Sequence, residues 1–252
     1  MSHPGGTKII IYIRLLIFTL SISILSIGCK KKDELVTAPI MFNPLITYGS
    51  MTDHDGNTYK TVTIGTQVWM AENLRTTKYQ NSDPIQNVTD TINWRKLTTG
   101  AYCSYENDNR NINAYGLLYN CYAVNDSRNL APSGWHIATD AEWNILTTFL
   151  GGESIADGKL KEIGTKHWSD PNSEATNEYG FTALPGGFRG NLSFAGVKMC
   201  NHDLYKGLWG IWWSPETSIS EYGKYKLIWF SSVTSSNLKK ENGASVRCVK
   251  DN

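Results

Sequence analysis

Histidines, cysteines and a late cluster of tryptophans are the side chains whose types and spacing could do chemistry in this sequence. A hydrolase needs a nucleophile, a base and an orienting acid. Of His54, His136, His167 and His202, sequence separation leaves open that His136, His167 or His202 meets a serine and a carboxylate in space and serves as a base. No Gly-x-Ser-x-Gly elbow accompanies them, so each histidine reads first as a hydrogen-bonded structural residue. Cys103, Cys121, Cys200 and Cys248 are disulfide candidates, an even set that allows two bridges in three connectivities or else buried free thiols. None belongs to a Cys-x-x-Cys pair, which leaves structural zinc and dithiol redox chemistry without support.

Trp209, Trp212, Trp213 and Trp229 are candidate ligand-binding rings, with Glu216 and Asn201 as polar neighbours. Flat rings of this kind stack on sugars or anchor protein partners. In a strand, Trp212 and Trp213 point to opposite faces, so at most one lies on the core side and its neighbour is directed outward, unless a loop covers it. Asp53-His54-Asp55-Gly56-Asn57 has calcium-loop residues, but an EF-hand loop starting at Asp53 would need Glu at its twelfth position, which is Ile64. The segment reads as an Asp-Gly turn, and no cofactor is expected.

The elements that must position these residues are short. Thr58 to Ile64, Gly65-Thr66 and Gln67 to Leu74 form a hairpin pattern. Tyr115, Leu118, Tyr119 and Tyr122 fall at i, i+3, i+4 and i+7, which predicts a helix over 115–124. Thr139-Asp140-Ala141-Glu142 is a capping box, followed by the core stripe Trp143, Leu146 and Leu150 and a stop at Gly151. A third helix is expected over 155–162. Phe181 to Leu184, Gly210 to Trp213, Tyr225 to Phe230 and Ala244 to Val249 read as strands, so the expected class is α+β, a mixed sheet of short strands with two or three helices in the N-terminal half.

The leader speaks to location. Lys8 and Arg14 precede the uncharged run Leu15 to Ile27, too short to span a bilayer and suited to a secretory signal. Gly28-Cys29 ends it as a bacterial lipobox does, with Ser26 at the position where Leu is commonest. The expected organisation is a lipoprotein signal peptide over 1–28, a lipidated Cys29 with a flexible tether to residue 47, and one domain over 48–252. The full chain has 252 residues and 24 basic against 23 acidic side chains, and loss of Lys8 and Arg14 with the leader takes its formal charge from +1 to −1. That balance argues against nucleic acid as a partner.

Trp69 to Leu74, Gly116 to Val124, Gly134 to Trp143, Gly158 to Glu162, Phe181 to Arg189, Trp212-Trp213-Ser214 and Ser245 to Asp251 together resemble the Fibrobacter succinogenes major paralogous domain, in order, from about Asp53 to Asp251. The resemblance implies an exported lipoprotein of the Bacteroidetes type at the cell envelope, in the outer membrane and facing the periplasm or the surface. It assigns no activity. Ala138 to Trp143 and Gly187-Phe188-Arg189 are also similar to segments of formylglycine-generating enzymes, which implies a C-type-lectin-like architecture. Cys121 and Pro215 depart from the family's expected Trp and Ser.

Two functions follow as expectations. A copper oxidase of the formylglycine-generating type would need a close cysteine pair, but Cys200 and Cys248 are 48 positions apart; the related iron enzymes need His-x-x-x-His-x-Glu, which is missing. The first reading is therefore a non-catalytic, lipid-anchored module that binds a glycan or an envelope protein through Trp209, Trp212, Trp213 and Glu216. The alternative is an envelope enzyme or enzyme-derived scaffold, with a histidine bonded to a carboxylate in a cleft. A lectin-like scaffold admits calcium beside Asn201 and Glu216, but no Glu-Pro-Asn or Gln-Pro-Asp triplet supports it.

Overall fold

The computed structural model describes residues 38–195, 207–215, 221–229 and 231–251. Cys29, Cys200, Asn201, His202 and Glu216 lie outside the described residues. The class is α+β, with its helices ahead of residue 161 and three sheets among the described residues.

The first sheet starts from β1 (Gly49–Thr52), β2 (Thr58–Ile64) and β3 (Gln67–Met70), paired antiparallel in that order. The expected Asp-Gly turn joins β1 to β2. Asp53 accepts the backbone N–H groups of Asp55 and Asn57, each at 2.9 Å, while the Asn57 amide and the Tyr59 hydroxyl take its other oxygen. A carboxylate so occupied holds a turn and has little left for a metal. A second sheet begins with β4 (Gln86–Asn87), and after the one-turn helix α1 (Thr91–Trp94) it continues through β5 (Ala101–Cys103).

The expected helix over 115–124 is replaced by a helix, a strand and another helix: α2 (Ile112–Tyr115), β6 (Leu118–Asn120) and α3 (Cys121–Val124). Gly116 ends α2 with φ 71° and ψ −156°, a conformation an L side chain resists, and a Cβ there would lie 2.8 Å from the Leu74 carbonyl oxygen. Asn120 then caps α3 by accepting the Ala123 N–H at 3.0 Å. The spacing misled because residues 114–121 are buried on every side, so the apolar positions mark a crossing of the core, not one helical face.

After β7 (Trp135–Ile137) come α4 (Asp140–Phe149) and α5 (Glu153–Leu160), close to expectation. Both hydrogen bonds of the Thr139/Glu142 capping box are present. Phe181 to Leu184 contributes only a bridge, Lys161 to Ala183, in place of a strand. β8 (Phe188–Arg189) and β9 (Phe194–Ala195) complete the second sheet, and β10 (Trp209–Trp213), β11 (Tyr222–Trp229) and β12 (Ser232–Lys239) form a third.

The chain closes by tying all three sheets together. β13 (Gly243–Ala244) pairs with β6 and β8, and β14 (Cys248–Lys250) pairs with β3 and β7. Between them the Ser245 N–H donates to the Ile211 carbonyl at 3.2 Å and its carbonyl accepts the Trp213 N–H at 3.0 Å, which locks β10 in place. The end of the expected tether is also fixed to the domain: the Asn43 amide donates to the Asn177 carbonyl at 3.0 Å, and Ile40, Phe42 and Ile46 pack on the core.

Candidate functional site

The histidines come first, because a catalytic reading depends on them. His54 lies in the turn after β1. His136, in β7, places Nδ1 2.7 Å from Asp251 Oδ1 and Nε2 2.6 Å from Glu142 Oε1. Partial burial alone would lower its pKa, but hydrogen bonds and charge from the two carboxylates outweigh that and raise it. A carboxylate at each nitrogen favours the protonated ring, which can donate to both. It clamps the chain's last strand to the start of α4. His167 Nδ1 is 2.6 Å from Glu162 Oε2, and both side chains are completely buried, out of reach of any substrate in this conformation. The other Glu162 oxygen accepts the Met41 N–H at 2.6 Å, so the pair fastens the N-terminal strap.

Trp212 and Trp213 point to opposite faces of β10, as strand alternation requires, and both are fully buried. The outward ring is thereby corrected: β10 is sandwiched between two cores. The Trp213 Nε1–H donates to the Tyr119 carbonyl at 2.7 Å on one side. On the other, Trp212 packs 5.7 Å from Trp143, and its ring lies across Gly210, where a Cβ would come within 2.3 Å of it. The Trp212 Nε1–H donates to Asn73 Oδ1 at 2.8 Å, and Arg247 Nε donates to the same oxygen at 2.9 Å. The Asn73 amide nitrogen donates to the Tyr115 carbonyl and to Ser245 Oγ. All four hydrogen-bonding positions of this buried amide are filled.

Cys103, Cys121 and Cys248 are unbridged and buried, so the disulfides expected among them are replaced by the free-thiol alternative. Burial pushes the Cys103 and Cys121 thiols up to about 11, and raises Cys248 as well. Such thiols are inert nucleophiles.

What remains on the surface is a strip on the other end of the same strands. On one face of the third sheet Trp213 lies opposite Tyr225, Ile211 opposite Leu227 and Trp209 opposite Trp229. Burial falls along this face, from complete at Trp213 and nearly so at Ile211 to 40% exposure at Trp229. Trp209 is half-buried and stacks on Phe188 of β8, with ring centroids 6.0 Å apart and planes 29° from parallel. β12 sets Ser232 opposite Trp229, Thr234 opposite Leu227 and Ser236 opposite Tyr225, a row of hydroxyl residues on the same face. The reverse face is structural: buried Lys226 reaches Asn144 Oδ1 at 3.0 Å and Asp140 Oδ1 at 3.2 Å. Salt links and hydrogen bonds from Lys224, Lys226 and Ser235 outweigh the burial of Asp140 and hold its carboxyl down to about 2.

Of the expected ring set, then, Trp209 and Trp229 fall in the strip and Trp212 and Trp213 do not. Phe188, Tyr225 and Leu227 were missed as site residues. Tyr225, Leu227 and Trp229 alternate with Lys226 and Ile228, a period-2 signal that marked one face, whereas Phe188 arrives from another sheet and carries no such mark.

Among known sequences, the family model described as Fibrobacter succinogenes major domain matches residues 62–250. No curated protein and no solved structure matches the chain.

Proposed function

Since this chain belongs to the Fibrobacter succinogenes major domain family, whose description names no chemistry, we propose on its geometry that it is a non-catalytic binding module of the cell envelope, lipid-anchored at Cys29, that takes a glycan. The observation that carries the reading is the Phe188–Trp209–Trp229 strip bordered by Ser232, Thr234 and Ser236. Flat rings cover the apolar faces of sugar rings, and neighbouring hydroxyls exchange hydrogen bonds with theirs. The saturation of His136 and the enclosure of His167 support a role without catalysis. The leader pattern that ends at Cys29 supports the outer-membrane lipoprotein assignment. Among the described residues no helix is long and apolar enough to cross a membrane. We further read the architecture as C-type-lectin-like, on the Ala138–Trp143 opening of α4 and the Gly187–Arg189 segment.

The test is a glycan-array and polysaccharide pull-down screen with and without calcium, comparing the protein with Trp209→Ala, Trp229→Ala and a surface control, Ile92→Ala. Loss of a ring at the centre of a binding site removes about 2 kcal/mol or more, roughly thirtyfold in affinity. Both tryptophan variants should lose binding while still unfolding in a single cooperative transition, with the smaller drop in melting temperature at the more exposed Trp229. A glycan bound equally by all three variants places the site elsewhere.

A further inference from the structure

Helix α4 has a second face that the glycan strip does not use. Trp143, Leu146 and Leu150 are fully buried, while Ala141, Ile145 and Phe149 lie at i, i+4 and i+8 on the other side, with Ile145 51% and Phe149 50% exposed. With Ile64 and the Gly65-Thr66 turn they line an open groove of about 740 Å³ that has no charged residue in its lining. Its two large exposed side chains leave an apolar face open to solvent.

The N-terminal strap packs at the opposite end of β2 from the groove. Lys60 Nζ sits 5.2 Å from the Phe42 ring and 5.3 Å from the Tyr48 ring. Gly180 abuts Tyr48 and Ile46, and the adjacent Tyr179 packs edge-on against Phe149, centroids 5.4 Å apart. Lys60 and Ile64 belong to one strand and are separated by about 13 Å, so the strap meets the domain about that far from the groove. From Cys29 to Ala38 the chain advances nine residues, a reach of at most about 30 Å. A lipid on Cys29 therefore holds the start of the strap within about 30 Å of the bilayer.

We propose that the α4 groove is a bilayer-contact face, with Ile145 and Phe149 seated at the boundary between headgroups and acyl chains. The proposal rests on lipid anchoring at Cys29. An uncharged patch led by an aromatic and a branched aliphatic side chain suits that boundary, and the anchor supplies the proximity that a weak patch lacks alone.

The test uses the full lipoprotein in phosphatidylethanolamine–phosphatidylglycerol vesicles. Single cysteines at Ile145→Cys or Phe149→Cys, in a Cys200→Ser background, carry an environment-sensitive fluorophore; the buried Cys103, Cys121 and Cys248 stay unlabelled. Ile92→Cys, at a site 57% exposed in α1, is the control. Shallow doxyl-labelled lipid should quench the probes at 145 and 149 at least twofold more than the probe at 92. The mass of the Cys29 peptide from the same preparation separates the outcomes. Acylated protein with probes at 145 and 149 unquenched, whether water-like or blue-shifted under another protein surface, overturns the contact face alone. Absence of the acyl group overturns the anchor and the face together.

Discussion

Replacing Asn73 by Ala removes a side chain that touches no ligand strip, yet it should be among the most damaging single changes in the chain. The substitution leaves the Trp212 Nε1–H and Arg247 Nε–H donors and the Tyr115 carbonyl without their partner, all in a region closed to water. Each buried orphan costs about 1–3 kcal/mol, with the charged guanidinium at the upper end, while Ser245 Oγ can turn to another partner. Arg247 keeps its bonds to the Met70, Phe181 and Thr182 carbonyls, which limits its share. The sum is about 4–6 kcal/mol, a large part of the roughly 5–15 kcal/mol that holds a typical domain folded. Urea unfolding followed by tryptophan fluorescence reads it directly: with a slope of about 3 kcal/mol/M, the midpoint should fall by about 1.3–2 M. Asn73→Asp separates the two halves of the amide, since it keeps both acceptor positions and loses both donors. It should cost less than Ala at pH 7, where a carboxylate faces Arg247, and protonation at low pH exchanges that charge for an O–H that can donate to the Tyr115 carbonyl. An Asn73→Ala protein within about 1 kcal/mol of the parent would refute the view that this amide organises the interior.

Three further outcomes follow from the same geometry. Trp212→Ala and Trp213→Ala should each lose about 3–5 kcal/mol in a denaturation curve, so any loss of glycan binding in them reports unfolding and not a site. The folded pKa of His136 is raised by Asp251 and Glu142 against its partial burial, so its stabilising contribution is fully present below the unfolded value of about 6.5 and fades as pH climbs through the folded one; melting temperatures between pH 5.5 and 9 should show that decline, and His136→Asn should flatten it. Native protein should expose none of Cys103, Cys121 and Cys248 to a thiol reagent, all three should react in denaturant, and a reductant should leave the melting temperature unchanged.

Where one segment carries its own instructions, the sequence was legible. The Asp53 turn, the β2–β3 hairpin and the capped start of α4 form where local chemistry puts them, because an Asp side chain, a two-residue Gly turn and a reciprocal Thr–Glu pair each satisfy backbone groups within a few residues. Legibility failed where partners come from far away. Leu118 to Asn120 looks helical by spacing and becomes a strand because β5 and β13 offer pairing on both sides, the latter from more than a hundred residues downstream. Alternation correctly sent Trp212 and Trp213 to opposite faces, but the covering of both depends on Trp143 and Tyr119, which no local pattern links to β10.

The strip was half visible for the same reason. Trp209 and Trp229 announce themselves by type, while their placement on one face needs the β10–β11 register and the exclusion of Trp212 and Trp213 needs the whole fold. The segments that carry the family resemblance explain why it says so little about a ligand. Trp69 to Leu74, Trp212-Trp213 and Ser245 to Asp251 meet in the interior, around Asn73 and Arg247 and along the strand that ties the three sheets together. Residues committed to that frame fix the positions of β10 and β11, and β10 in turn carries two kinds of tryptophan: those that hold it between cores and the one that leaves the core at its open end. Under the proposed reading, a change at the frame should be read as lost stability, and a change at Phe188, Trp209 or Trp229 as altered recognition on a protein that still folds. On the same reading, ligand choice falls to a few side chains at the exposed end of the third sheet, within the matched residues 62–250 but outside this interior frame.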